Sequence, residues 1–161
     1  MDRLRTDPEF AGFLFFEELA RKIIGEQPEL WQDRTAFHLE VYRRQCERED
    51  RVAGRPFVTD RGTIDAFAFH PETIVKVGTS IEAEYARYSG VIQLGSAAVL
   101  GEPHYRCDEI RKESPADALA IEDAVRKVWS KHPQYRYIPA DIDLEEKYGA
   151  FYRQIVDYKQ A

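Results

Sequence analysis

The sequence predicts an α/β domain of three layers, in which helices cover both faces of a parallel sheet. Short apolar runs alternate with longer segments of helical character, so successive strands need crossover connections. The first run, Phe13–Phe16, is continuously apolar, which is typical of a strand buried on both faces. With 161 residues, of which 43% are apolar and 32% charged, the chain is predicted to form one domain over residues 1–161.

Three more segments have the character of strands. They are Phe57–Thr59, Val91–Leu94 and Tyr135–Ile138. Pro56 stands at the start of the second strand, where the missing N–H group matters least. Together the four segments predict a parallel sheet, because helical segments separate them.

Helical segments fill the intervals between the strands. The first is predicted from Glu17 to Ile24 and to stop at Gly25, a residue suited to a C-cap. The second is predicted from Asp33 to about Ala53, and the charges of Arg48–Arg51 are interpreted as its solvated face. A serine, a proline and an acidic residue mark another helix start at Ser114. Two more helices are predicted over residues 80–88 and 144–158.

Charged or polar residues follow three of the predicted strands. Glu18 follows the first, with Arg21 one helical turn further, Asp60 and Arg61 follow the second, and Gly95-Ser96 follow the third. Ligands of parallel α/β sheets bind at the carboxyl ends of the strands. Carboxylates can hold a hydrated metal ion or accept a hydroxyl proton, and arginines neutralise phosphate oxygens. The pattern therefore predicts a site for a phosphorylated ligand with Mg²⁺.

Each of these residues also has a purely structural interpretation. Asp60 can be the N-cap of a helix that starts two or three residues later, because aspartate is a leading N-cap residue. Arg61 can be an ordinary surface residue. Glu18 and Arg21 can form an intrahelical ion pair, which is worth only about 0.2–0.5 kcal/mol.

Five stretches, taken in their order along the chain, resemble a known family. They are FFEELARKII (Phe15–Ile24), FVTDRGTIDAFAF (Phe57–Phe69), YSGVIQLGSA (Tyr88–Ala97), YRCDEIRKESPADA (Tyr105–Ala118) and VWSKHPQYRYIP (Val128–Pro139). The chain resembles the AAA-type ATPase/GTPase family that groups with the ribosylnicotinamide-kinase domain of the NadR regulator. The resemblance implies a sheet of the P-loop kinase type, with a nucleotide and a small-molecule acceptor as partners and Mg²⁺ with ATP or GTP as cofactors.

The resemblance also implies a role for each candidate residue. Glu18 and Arg21 look like the substrate-side pair of such domains. Asp60 looks like a general base or a ligand of metal-bound water, and Arg61 looks like its phosphate-contacting neighbour. Asp65 looks like a further acid lining the acceptor pocket.

A lid is implied over residues 101–113. Arg106 and Arg111 look like lid arginines that close over the nucleotide phosphates. Acidic residues surround them in the sequence, so a salt-bridged surface is the alternative interpretation. The loop after Ile138 is expected near the nucleotide base.

One part of the family pattern is missing from this sequence. A P-loop, G-x-x-x-x-G-K-[ST], supplies backbone N–H groups, a lysine and a metal-binding hydroxyl, whereas this sequence contains no Gly-Lys pair. Asp2–Arg5 resemble the end of the helix that follows a P-loop, so Met1 is interpreted as an internal methionine of a longer protein. For this chain alone we therefore expect weak nucleotide binding. We also expect a gap in the sheet, a partner chain that fills it or a changed strand order, with self-association through exposed strand edges.

The sequence is compatible with two functions. The first is phosphoryl transfer to a small metabolite, or hydrolysis of ATP or GTP, by a P-loop enzyme. The alternative is a non-catalytic binding or interaction module that has lost the P-loop. The net charge of −6 argues against nucleic-acid binding, and no apolar run approaches the length of a membrane span. Two cysteines far apart in sequence favour the cytoplasm.

Overall fold

The computed structural model describes residues 1–52, 54–100 and 114–160. The chain divides into two compact units, a first unit of residues 1–79 and a second unit of residues 80–161. All four predicted strands are present, and they are Leu14–Phe16 (β1), Phe57–Thr59 (β2), Val91–Leu94 (β3) and Tyr135–Ile138 (β4). Each unit holds one parallel pair, β1 with β2 and β3 with β4.

The prediction of parallel pairing is confirmed. The prediction of one sheet with all four strands is not, among the residues that the structure describes. Their strands make two separate two-stranded sheets. The fold is mixed α/β and mostly helical, because the strands have only three or four residues each. Most of the buried apolar residues that the structure describes lie in α-helices.

The described residues of the first unit form two short 3₁₀-helices, Pro8–Phe10 and Pro28–Gln32, and five α-helices. The α-helices are α1 (Asp2–Arg5), α2 (Leu19–Glu26), α3 (Arg34–Asp50), α4 (Asp65–Phe69) and α5 (Glu72–Val77). The Asp33 side chain caps α3 by accepting a hydrogen bond from the backbone N–H of Ala36 at 3.0 Å. Leu4, Ile23 and Ile64 are fully buried and form the centre of the core.

Two sequence-based expectations for this unit are wrong. Helix α2 does not end at Gly25 but continues to Glu26, with Gln27 as its C-cap. The charge run of Arg48–Arg51 is not a fully solvated face, because Glu49 is only 5% exposed. Hydrophobic periodicity does not reveal this burial, and the Glu49 carboxylate accepts a hydrogen bond from the Gln45 amide one turn earlier in the same helix at 2.5 Å.

The described residues of the second unit form one short 3₁₀-helix, Ala97–Leu100, and three α-helices. The α-helices are α6 (Ile81–Tyr85), α7 (Pro115–Trp129) and α8 (Leu144–Gln160). The predicted start of α7 is confirmed as a capping box. The Ser114 hydroxyl accepts from the Asp117 N–H at 3.1 Å, and the Asp117 carboxylate accepts from the Ser114 N–H at 3.3 Å.

Aromatic residues form the core at the end of α7. Trp129 is 4% exposed and packs against the rings of Tyr85, Tyr88 and His132. Helix α8 lies on the β3–β4 pair, and the Tyr158 hydroxyl donates to the Gln134 carbonyl at 2.6 Å. Within the described ranges, every helix is too short or too polar to traverse a lipid bilayer.

Candidate functional site

The carboxyl ends of β1 and β2 meet at one edge of their sheet. The strands pair in parallel with Phe16 opposite Thr59. The Asp60 N–H extends this pairing by donating to the Phe16 carbonyl at 2.9 Å. Glu18 and Asp60 therefore follow neighbouring strand ends on the same edge, which is where α/β sheets place their ligands.

Asp60 is not the cap of the helix that follows it. Helix α4 begins only at Asp65, with Ile64 at the N-cap position. The capping interpretation of Asp60 is therefore wrong. Asp60 is exposed, and its carboxylate accepts no hydrogen bond from the residues that the structure describes. This carboxylate is available to an incoming proton, a water molecule or a hydrated cation.

Arg61 lies where several carboxylates converge. One guanidinium nitrogen is 3.6 Å from the Asp65 carboxylate, and the side chains of Arg61 and Asp65 are 37% and 10% exposed. Burial lowers the pKa of Arg61, but the carboxylates of Asp65, Glu18 and Asp60 together raise that pKa above its ordinary value. The structure therefore brings four of the predicted site residues into one electrostatic cluster.

Glu18 and Arg21 form the ion pair that their spacing allows. Glu18 stands at the N-cap position of α2, and the Arg21 Nε donates to its carboxylate at 3.3 Å. Both side chains are about one-third exposed, so the pair itself adds little stability. The pair matters to the site because the Glu18 carboxylate also helps to raise the pKa of Arg61.

Sequence analysis did not identify the residues of α3 that hold this edge together. The Gln45 side-chain amide donates to the Arg61 carbonyl at 2.8 Å, and Arg48 donates to the Glu17 carbonyl at 2.7 Å. The sequence signal was weak. A glutamine and an arginine within a charged helical run look the same whether they face solvent or a buried turn.

A cavity of 550 Å³ in the first unit opens beside β1 between α2 and α3. It is lined by Arg5, Phe15, Phe16, Glu17, Glu18, Leu19, Lys22, Arg44, Glu47, Arg48 and Arg51. Its five basic residues already have acceptors. Arg5 pairs with Glu17 at 2.8 Å, for example, and Arg51 pairs with Glu47 at 3.6 Å. The cavity therefore offers mixed charge rather than a strong positive field.

In the second unit, Glu122 of α7 organises the ends of β3 and β4. Its carboxylate accepts from the Ser96 N–H at 2.8 Å, from the Tyr137 hydroxyl at 2.7 Å and from Arg126 at 2.9 Å. The Arg126 guanidinium lies 3.9 Å from the centre of the Tyr137 ring. These side chains line an open cavity of 390 Å³.

The β3 end of this unit is tightly packed. The Lys147 ammonium donates to the Gly95 carbonyl at 2.7 Å, and burial lowers the pKa of Lys147 while Glu122 opposes that shift. A Cβ atom at Gly95 would lie 2.7 Å from the Tyr137 hydroxyl and 2.8 Å from the Ala140 nitrogen. Glycine is therefore the only residue that fits here without displacing neighbouring atoms.

The lid falls outside the described residues. Arg106, Arg111 and the whole of residues 101–113 belong to that part of the chain, so their roles stay predictions.

The side chains at the β1–β2 edge suit the Mg²⁺ ion of the implied cofactor rather than the nucleotide phosphates. Among the described residues, no group of three or more His, Cys, Asp or Glu side chains is arranged to hold a metal ion. A single free carboxylate such as Asp60 still suits Mg²⁺, which keeps most of its water ligands and takes the rest from phosphates. The backbone cradle and lysine that hold nucleotide phosphates are not in the sequence.

Comparison with known proteins identifies the family but no individual relative. A family model described as "AAA domain" matches residues 2–147, which is most of the chain. No curated protein and no solved structure matches. The matched range includes both strand pairs and all of the candidate site residues, and the chain therefore belongs to the AAA domain family of P-loop NTPase-like proteins.

Proposed function

We propose that this chain belongs to a nucleotide-dependent phosphoryl-transfer protein, and that the β1–β2 edge is the acceptor side of its site. The observation that supports this most strongly is that Glu18 and Asp60 follow the carboxyl ends of the parallel pair β1–β2, with the Arg61 guanidinium 3.6 Å from the Asp65 carboxylate in the adjoining turn. Phosphoryl transfer needs a carboxylate near the attacking oxygen and a cation near the transferred group. This edge offers both.

Asp60 is the proposed general base. Its exposed carboxylate accepts the proton of an acceptor hydroxyl, or of water in a hydrolytic reaction. Bound Mg²⁺ would neutralise phosphate charge, and Asp60 would hold it through water. Arg61 stabilises negative charge on the phosphoryl oxygens, and Asp65 orients the guanidinium from 3.6 Å.

The remaining residues complete the proposal on the strength of the family resemblance. Glu18 and Arg21 select the acceptor from the end of β1. Arg106 and Arg111 close over the nucleotide phosphates from the lid. The nucleotide is ATP or GTP, and the acceptor is a small metabolite with a free hydroxyl.

The first test is to read the gene in frame upstream of Met1. A strand followed by G-x-x-x-x-G-K-[ST] supports the enzyme, and a stop codon immediately upstream supports the non-catalytic binding module.

The second test measures transfer from labelled ATP or GTP to a panel of nucleosides and other small alcohols, with the protein of the whole natural reading frame. Asp60→Asn should reduce the rate by about 100-fold or more, which is the usual loss of a general base. Asp157→Asn is the matched control, because Asp157 is an exposed aspartate in the other unit. Equal rates for the two variants would remove Asp60 from the mechanism.

A further inference from the structure

Helix α3 presents a buried amide to the turn that carries Asp60 and Arg61. Gln45 is only 2% exposed. Its Nε2 donates to the Arg61 carbonyl at 2.8 Å and to the Thr59 hydroxyl at 3.1 Å. Burying an amide is unfavourable unless its N–H groups find acceptors, and here the acceptors are the Arg61 carbonyl in the turn, the Thr59 hydroxyl at the end of β2 and the Glu49 carboxylate within α3. The turn and the helix therefore depend on each other.

Arg48 extends the same network to the end of β1. One of its terminal nitrogens donates to the Glu17 carbonyl at 2.7 Å, and the other donates to the Thr59 hydroxyl at 3.1 Å. The guanidinium also lies 5.0 Å from the centre of the Phe16 ring. A single cation thus contacts the ends of both strands.

Thr59 is the centre of the network. Its hydroxyl accepts from Gln45 and Arg48, and it donates to the Arg61 carbonyl at 2.6 Å. The Gln45 Oε1 in turn accepts from Arg48. If the Gln45 amide were reversed, its oxygen would face the Arg61 carbonyl oxygen and its nitrogen would face the Arg48 guanidinium. Only the orientation described here gives every donor an acceptor.

We propose that Gln45, Arg48 and Thr59 are positioning residues for the phosphoryl-transfer site, an inference that rests on the function proposed above. Several of their hydrogen bonds end on the backbone carbonyls of Glu17 and Arg61. They therefore set the separation between the β1 end and the Asp60–Arg61 turn without touching the substrate. Catalytic groups need such support, because small displacements of a reacting group cost large factors in rate.

The test compares two threonines of the first unit. Thr59→Val keeps the shape of the side chain and removes the hydroxyl from the network. Thr73→Val is the matched control, because Thr73 is fully buried and its hydroxyl is hydrogen-bonded to His70 at 3.1 Å. Both variants lose a hydrogen-bonded hydroxyl, but only Thr59 contacts the Arg61 carbonyl.

The expected result is a change in kcat rather than in KM. Thr59→Val should lower kcat by about tenfold with the KM for nucleotide unchanged, which corresponds to about 1.4 kcal/mol of transition-state stabilisation. Thr59→Ser should restore kcat, and Thr73→Val should leave it unchanged. In an Asp60→Asn background, Thr59→Val should have no further effect, because the network acts through that turn. Equal losses in both backgrounds would overturn the proposal.

A second readout works without any activity and separates this inference from the proposed function. The Asp60 N–H is bonded to the Phe16 carbonyl, so its hydrogen exchange reports the closure of the strand ends. Thr59→Val and Gln45→Leu should speed this exchange by about tenfold relative to Thr73→Val. If exchange rises as expected but the wild type transfers no phosphate, the network holds the turn and the proposed function fails. Unchanged exchange overturns the positioning role.

Discussion

At the level of single residues, Arg61 depends on Asp65 for its placement. Asp65 is nearly buried while Arg61 is partly exposed, so replacing the carboxylate leaves a cation that water can only partly solvate. We predict that Asp65→Asn lowers the free energy of unfolding by about 1–2 kcal/mol, a value reduced for solvent screening of Arg61. Urea unfolding measures this loss, with Asp157→Asn as control. A midpoint equal to that of the control would contradict the prediction.

His38 gives the first unit a defined pH dependence. Burial, followed by the nearby His70 and Arg34, lowers the pKa of His38 from 6.5 to about 4. The folded chain therefore favours the neutral imidazole, and this contribution to stability is present above pH 6.5 and is lost as the pH falls toward 4. The ring packs against Phe37 and Phe69, which accounts for its burial.

We predict that the free energy of unfolding falls by about 1–3 kcal/mol between pH 6.5 and pH 4, and that His38→Phe removes most of this slope. Urea unfolding at closely spaced pH values measures it. The pKa of Glu40 is lowered from 4.5 to about 2, mainly by a hydrogen bond from Arg43. Its stabilising effect is complete above pH 4.5 and is lost only as the pH falls from 4.5 toward 2, so Glu40 does not affect the slope above pH 4.5. A wild-type slope that persists in His38→Phe between pH 6.5 and 5 would assign the effect to another group.

At the level of elements, two glycines of the second unit should respond in opposite ways. A Cβ atom at Gly90 would lie 2.3 Å from the Tyr158 ring, so the ring must move and its hydrogen bond to Gln134 must weaken. Gly149 lies within α8, and its nearest neighbour is the flexible end of Arg153 at 3.4 Å.

We therefore predict that Gly90→Ala destabilises the protein by about 1–3 kcal/mol, as overpacking usually does. Gly149→Ala should instead stabilise it by about 0.5–1 kcal/mol, because glycine weakens a helix interior. Thermal and urea unfolding measure both changes. An unchanged stability of Gly90→Ala would mean that Tyr158 does not hold α8 on β3 and β4, and a destabilising Gly149→Ala would contradict the second prediction.

At the level of the whole molecule, the nucleotide affinity of the 161-residue chain is the quantity to measure. Its sequence contains no Gly-Lys pair, and thus no lysine of a P-loop to hold phosphates. We predict that calorimetric titration with MgATP or MgGTP gives no binding tighter than about millimolar, an affinity worth roughly 4 kcal/mol. A micromolar signal would show that the chain holds phosphates by other means.

The four strands could be predicted from the sequence, but the residues of α3 that hold the Asp60–Arg61 turn in place could not. Short runs rich in aromatic and β-branched residues between helical segments identified β1 to β4. The residues of β1 are only partly buried, so the expectation that this strand is buried on both faces is wrong. The buried residues of α3 include Gln45 and Glu49, which a hydrophobic pattern does not mark. Polar side chains are buried only where hydrogen-bond partners are in place for them. The partners of Gln45 on β2 and its turn are set by tertiary structure.

The two strand pairs also bear on the order in which the chain folds. Leu14 pairs with Phe57 and Val91 with Tyr135, so each pairing closes a loop of about forty residues. Closure entropy varies only with the logarithm of loop length, and it therefore disfavours both pairings almost equally. The nucleation of local helices should then decide which pair forms first. Each loop contains a long capped helix, α3 behind Asp33 and α7 behind its capping box, so each half can begin to collapse locally before its strands pair.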